Sequence, residues 1–445
     1  MYAGRRIVVT GLGAVTPIGC DVASFWSSLL EARSGIAAIK SFAIGEFRPS
    51  YAAEVKDFAP ERAGLPRKKL KMMGRHAQMA LAAVIEASAD AALDDAAARP
   101  AAERIGVMFG VGMLNADSQE LGRTFARMKG AMQEANASAE NVAQLDAEAD
   151  AVGFTRAALI EMSPLWLLRH IPNMVSAHAT IALDARASSN TIMTGCAAAA
   201  HALGEAARVI SRGEADVMFA GGADARISPL AMLRYRDLGW LATREAKNPE
   251  TISAPFDHDA AGFVSGEGAG VLVLEAYEHA RARGARIYAE VAGYGAANDA
   301  YDPLRPHTEG RGLARAIARC LASTDVTLDE KSAVFAPATA LPAFDQAIAT
   351  ALATTFGARR LNPPVTATRS LIGHTHAASS ALDVIAAART LNESVIPPTI
   401  NLHHPIIDFN FVKDAPRHQA VETALVTAYG FGGHAAALSL RRCEA

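Results

Sequence analysis

Cysteine is scarce in this chain of 445 residues, and no two cysteines are close in sequence. Cys20, Cys196, Cys320 and Cys443 are widely scattered with no Cys-x-x-Cys spacing, which argues against a disulfide framework and against a zinc site. That usage suits a reducing, cytoplasmic setting. No apolar run reaches the roughly 20 residues a membrane span needs. The opening stretch MYAGRRIVVTGLGAV has charge and then an apolar run. Glycine interrupts that run and no small-residue cleavage site follows, so it does not read as a signal peptide. An excess of charge of one sign is missing too. The formal net charge of −3 gives nucleic acid or an anionic membrane no reason to be the main partner.

What is present is a well-packed globular composition, 51% apolar and 20% charged. Aromatics are only 6% and alanine is abundant, so helices should pack closely. Residues 6–10 (RIVVT) read as a short β-branched strand before a glycine-rich turn, 70–95 as a long alanine-rich helix, and 105–111 as a buried strand. Residues 115–160 are polar and helical with mixed charge, which marks a surface excursion. SNTIM then reads as a strand, Gly195-Cys196 as a turn, and AAAAHALGEAARVIS as a helix closed by Arg212 and a Gly213 C-cap. Buried strands follow at 216–224 and 268–276. The order of elements restarts near 285: strand 285–295, helix 312–322, strand 332–339, helix 344–355, strand 364–368. The last strands fall near 395–401, 422–428 and 435–440. This alternation predicts an α/β fold with mainly buried sheets. The restart predicts a duplicated core, 1–280 and 281–445, with the 115–160 insertion in the first half.

Cys196 falls between a strand and the first turn of a helix. Its sulfur is thereby set beside free backbone N–H groups at the positive end of the helix dipole. That field predicts a thiol pKa below the ordinary ~8.5. Gly195 and the alanines leave room for a substrate, as in other strand-to-helix turns that expose nucleophiles. A small cysteine that merely packs is the plainer reading of the same position, and it is the one adopted for Cys20, Cys320 and Cys443. A nucleophile needs a base or hydrogen-bond donor. Of the 13 histidines, His374 in SLIGHTHAAS opens a helix, where the dipole keeps imidazole neutral and able to donate to an oxyanion. His201, about one turn beyond Cys196, suits packing or hydrogen bonding. His403 and His404 suit a surface loop. The glycines of Gly430-Phe431-Gly432-Gly433 let backbone approach a ligand, or make an ordinary tight turn. GLGAVTPIG lacks the third glycine and the acidic partner of a dinucleotide loop, which rejects NAD.

Taken in order, RRIVVTGLGAVTPIG, TGCAAA, PFDHDAAGFVSGEGAG, HARARGARIYAEVAGYGAANDAYD, IGHTHAAS, PPTINL and YGFGGHAAAL carry a resemblance over nearly the whole chain. The sequence resembles the β-ketoacyl-acyl carrier protein synthases, the ketosynthases of type II fatty acid and polyketide synthesis. That resemblance implies the thiolase-type fold: two similar α/β halves in a five-layered αβαβα arrangement. It implies a homodimer, or a heterodimer with another ketosynthase subunit. It implies no bound cofactor, the phosphopantetheine arm being supplied by an acyl carrier protein. Cys196 falls on the family's nucleophile, His374 on its second histidine and Arg369 on its lysine. Phe431 falls on the gating phenylalanine, whose backbone N–H joins that of the cysteine in the oxyanion hole. Thr339 and Asp345 fall on the threonine and aspartate of the motif that carries the first histidine.

That histidine is missing. Ala336-Pro337-Ala338-Thr339 stands where the family has Ala-His-Gly-Thr. Ile348 stands for a glutamate and Ala260 for an arginine. In the family both histidines hold the enolate oxygen formed when malonyl-carrier decarboxylates. Pro337 has no titratable side chain and no N–H, and losing one such donor costs roughly 10²–10³ in rate. His434 and His376 are the candidates to take over, against the plainer reading that both pack or face solvent. Three functions follow: a decarboxylating condensing enzyme, an acyltransferase that loads Cys196 and passes the group on without decarboxylation, and a non-catalytic partner resembling a chain-length factor. Arg67, Lys68, Lys69, Lys71 and Arg75 form a basic cluster where the family docks its carrier, with a solvated helix end as the alternative.

Overall fold

The computed structural model describes residues 4–443 apart from 46, 96, 113–117, 136–146, 245 and 358–361. A ten-stranded sheet runs through the molecule. The first half supplies β1 (Ile7–Val15), β2 (Ile105–Val111), β3 (Ser189–Ile192), β4 (Val217–Ala225) and β5 (Glu267–Ala276). The second supplies β6 (Ala289–Asn298), β7 (Ser332–Phe335), β8 (Val365–Thr366), β9 (Thr423–Tyr429) and β10 (His434–Arg441). The spatial orders are β1-β5-β4-β2-β3 and β6-β10-β9-β7-β8. In each half the first two pairings are antiparallel and the last two parallel. The halves join where β1 meets β6, at Val8↔Glu290 and Val9↔Ala289.

Helices make the remaining layers. Helix α1 (Arg75–Asp90) covers β1 and β5, and α3 (Arg311–Ala322) covers β6 and β10. Between the halves lie α2 (Ala198–Ser211), on β4 and β2, and α4 (Ser379–Glu393), on β5 and β9. Buried inside, α4 is enclosed all round: only Arg389, Asn392 and Glu393 escape burial. Its alanines and those of α2 share one apolar core with β1, β9 and β10, since small side chains let helices approach closely.

Several local expectations change. The GLG of residues 11–13 is no turn: β1 runs through it. Glycine is needed there because a Cβ on Gly13 would lie 1.9 Å from Ala83 O of α1. The 70–95 helix is broken at Gly74 into Arg67–Leu70 and Arg75–Asp90. The 332–339 strand stops at Phe335, and Pro337, lacking an N–H, cannot extend it. Val395–Ile396 pairs with Arg417–His418 outside the main sheet, and Pro397 ends it. The excursion holds two helices, Ser118–Ala135 and Ala147–Glu161, packed through Phe125 and Phe154; residues 115–117 and 136–146 of it lie outside the described residues. Among the described residues no helix is long and apolar enough to cross a membrane.

Candidate active site

Duplication of the fold sets two similar turns face to face. After β3, Gly195–Ala197 form one helical turn ahead of α2, with Gly195 at φ +60°. After β8, His376–Ala378 form one ahead of α4, with His376 at φ +49°. The two turns touch. This brings Cys196 Sγ to 3.0 Å from His374 Nε2. His374 is pinned by its backbone: its N–H donates to Val264 O at 2.7 Å and its C=O accepts from Gly266 N–H at 2.8 Å.

Burial decides the charge state of this pair. It pushes the Cys196 thiol up to about 11, against the pull of Arg226 and Arg369 and of a hydrogen bond from the Phe431 N–H. The expected lowering is therefore overturned. A cysteine only 6% exposed loses more by shedding water than the helix end and nearby cations return. His374 is held well below its ordinary value, by burial first and then by Arg369 and Arg226. The resting pair is thus a thiol beside a neutral imidazole.

A second imidazole lies beside this pair. The sulfur and one ring nitrogen each of His374 and His376 lie within 4.8 Å of one another. His376 is fully buried, and burial, then His374 and Arg226, hold it well below its ordinary value. Its Nε2 lies 3.1 Å from Ser265 Oγ, a contact that helps set which nitrogen carries the proton. Tyr235 stacks on its ring at 5.2 Å, and Phe263 meets it edge-on at 5.6 Å. One sulfur and two imidazoles are also a donor set that a soft cation such as zinc could take. His434 goes elsewhere: its Nδ1 lies 3.4 Å from Asn298 Nδ2, on the side of His201. His201 is itself held by Tyr294 OH at 2.9 Å.

The backbone of residues 430–431 closes on the sulfur. A Cβ on Gly430 would lie 2.9 Å from Cys196 N, so only glycine allows the approach. The Phe431 N–H reaches Cys196, so the two amides converge. The Phe431 ring stacks on Trp240 at 3.7 Å, with Phe344 edge-on at 4.9 Å.

Behind the site lies a buried polar network. Arg369, 2% exposed, pairs with Asp383 at 2.9 Å and donates to Ala336 O at 3.2 Å. Asp345 accepts from the N–H groups of Thr339, Ala340 and Phe256, and burial pushes it up to about 6. That carboxyl orders the loop holding Pro337, which is itself buried, and Thr339. Of the basic cluster, Arg67, Lys68, Lys69 and Lys71 are exposed. Arg75 is exposed as well and also bonds Glu267 at 2.7 Å. Asp383, Ser265, Tyr235, Asp224 and Arg226 were missed from sequence. Asp383 had a signal, a lone carboxylate in an apolar helical run, which demands a buried partner.

Residues 4–280 match the β-ketoacyl synthase N-terminal domain and 288–403 its C-terminal domain. The chain belongs to the β-ketoacyl synthase family. It is 34% identical over 442 residues to 3-oxoacyl-[acyl-carrier-protein] synthase 2 of Synechocystis, covering 99% of each chain. It is also 34% identical to the protein of that name from Vibrio harveyi, over 96% of each. Among solved structures, the ishigamide ketosynthase/chain length factor superposes with a TM-score of 0.83 at 31% identity, covering 99% of this chain and 100% of that one. A type II PKS acyl-carrier protein in complex with its ketosynthase, bound to the hexaketide, gives a TM-score of 0.80 at 28% identity, covering 99% and 100%. The fold is thiolase-like, and enzymes of this family work on substrates tethered to the phosphopantetheine of a carrier and need no cofactor of their own.

Proposed function

We propose that this chain is a condensing enzyme that loads an acyl group on Cys196 and extends it with a malonyl unit brought by an acyl carrier protein. The observation that supports this most is His376, a second imidazole beside the sulfur although Pro337 leaves the family's position empty of one. In loading, Cys196 Sγ attacks the carrier thioester and His374 takes the thiol proton. The carrier thiolate leaves and recovers that proton. The amides of Cys196 and Phe431 hold the oxyanion. In extension, malonyl-carrier releases carbon dioxide, and His374 and His376 donate to the enolate oxygen. The enolate carbon then attacks the acyl carbonyl. The new carbon–carbon bond forms as the carbon–sulfur bond breaks, and Cys196 recovers a proton from solvent.

A second reading, transfer of the acyl group to another acceptor without decarboxylation, is favoured by Pro337 itself, which can donate nothing. A non-catalytic partner role fits poorly with a cysteine 3.0 Å from an imidazole. The carrier would dock on Arg67, Lys68, Lys69 and Lys71. A second subunit would have the outer edge of β3 to build on, where Ser189 and Asn190 are exposed.

The test is to incubate the protein with acyl-carrier, find the adduct mass on the Cys196 peptide, then add malonyl-carrier and measure carbon dioxide. An adduct with release of gas and an extended product supports condensation. An adduct without release leaves the transferase, and no adduct removes both.

A further inference from the structure

Four rings follow one another beside the sulfur, and the condensation steps use only the residues at the two ends. The Phe431 ring lies on Trp240, with centroids 3.7 Å apart and planes 10° apart. Trp240 stacks on Tyr235 at 6.1 Å and 27°. Tyr235 stacks on His376 at 5.2 Å and 19°. The stack thus runs from the residue whose amide reaches Cys196 to the imidazole beside the sulfur. Trp240 joins its two ends.

The backbone of Trp240 is anchored and that of Phe431 is pliable. The helix Pro229–Asp237 is followed by Gly239 at φ +69°, and the Trp240 N–H turns back to donate to Tyr235 O at 3.0 Å. The Phe263 N–H donates to Trp240 O at 2.8 Å, and the Phe263 ring meets both His374 and His376 edge-on. Trp240 therefore shares one framework with both imidazoles. Phe431 sits instead among Gly430, Gly432 and Gly433, the last two at φ +79° and +74°, and glycine is the residue whose backbone moves most freely. The direction of its N–H then depends on how its ring is held. Trp240 takes the face of that ring and Phe344 its edge. Stacked and edge-on pairs are favourable beyond the area they bury, so the anchored indole steadies the pliable turn.

We infer that Trp240 is a positioning residue: stacked between the Phe431 and Tyr235 rings, it sets the Phe431 amide and the His376 imidazole together. This deepens the proposed condensation and rests on Cys196 being acylated and on His376 donating to the enolate oxygen. Hydrogen-bond donors help a reaction only when they are already aimed at the developing charge. A misplacement of about 1 Å can cost roughly 10²-fold. Loss of the stack should therefore slow both steps, loading through Phe431 and release of carbon dioxide through His376.

The test uses the full chain, with butyryl-carrier for single-turnover loading of Cys196 followed by mass, and malonyl-carrier for carbon dioxide release from protein already acylated. Trp240→Leu keeps apolar bulk without the ring. It should slow each step by about tenfold or more at saturating carrier, with KM changed at most about twofold. Trp240→Phe restores a ring and should bring both rates back to within about threefold of the parent. Tyr235→Leu cuts the stack on the His376 side. It should lower carbon dioxide release by about tenfold and loading by at most about twofold. Equal rates for Trp240→Leu and Trp240→Phe, or slowing of one step alone by Trp240→Leu, overturn the inference while Cys196 acylation stands. If the melting curve shows that Trp240→Leu does not fold, Tyr235→Leu decides: carbon dioxide release equal to that of the parent overturns the inference. No adduct in the parent overturns the acylation reading, and the inference with it.

Discussion

The two halves of the molecule build the same turn and use it differently. Each runs from a parallel strand into the N-terminus of a central helix, and each places a residue at positive φ there. The first half has Gly195, which takes φ +60° without steric penalty, and leaves the next position to Cys196. The second has His376 at φ +49°, where a non-glycine residue is strained by about 1 kcal/mol or more. Such strain persists only where packing over-determines it, and here Tyr235, Phe263, Ser265 and His374 hold the ring. The lesson is that duplication gave the site two helix N-termini, and the second half puts imidazoles where the first puts sulfur and open space.

Each half also buries an ion pair beside this centre, Asp224–Arg226 in the first and Arg369–Asp383 in the second. Removing one partner should separate them. Asp383→Ala strands Arg369, 2% exposed, and should cost about 3–5 kcal/mol in urea unfolding. Asp224→Ala strands the wetter Arg226, 13% exposed, and should cost less. Equal costs would break the comparison. The sulfur gives the next effect. A thiol raised to about 11 is almost wholly protonated at neutral pH, and its thiolate fraction grows tenfold per pH unit below that value. Iodoacetamide labelling of Cys196 should therefore keep rising from pH 7 to 10; a plateau below pH 8 contradicts this sign. Gly195→Ala forces a Cβ into φ +60° and should cost about 1–2 kcal/mol, measured by the same unfolding assay. The smallest effect is at the surface. Lys68→Glu with Lys69→Glu should weaken carrier binding several-fold at low salt and little at high salt.

Much of this was legible in the sequence. The first strand announced itself as a β-branched run and others as buried apolar stretches, and the restart near 285 anticipated the repeated strand order. Cys196, His374 and Phe431 sit in long motifs, so their convergence could be expected. What stayed hidden depends on contacts between distant segments. That Tyr235 lies on His376 is decided by the packing of the segment 226–240 against the turn at 376, and no local pattern encodes it. The strain at His376 is a backbone angle, which composition does not reveal. The sign of the Cys196 shift was misread because the helix end is visible in sequence while the depth of burial is not. His434 follows the glycine turn closely in sequence, but β10 pairs it with Asn298 and turns it to another cluster.

The claim most in need of a direct test is that His376 does the work of the histidine missing at Pro337. Asparagine tolerates the left-handed conformation, so His376→Asn keeps the turn while removing the imidazole. With Cys196 pre-acylated in both proteins, carbon dioxide release from malonyl-carrier should fall by roughly 10²–10³ in the variant, with acyl loading changed only a few-fold. Equal release from variant and parent would contradict the account.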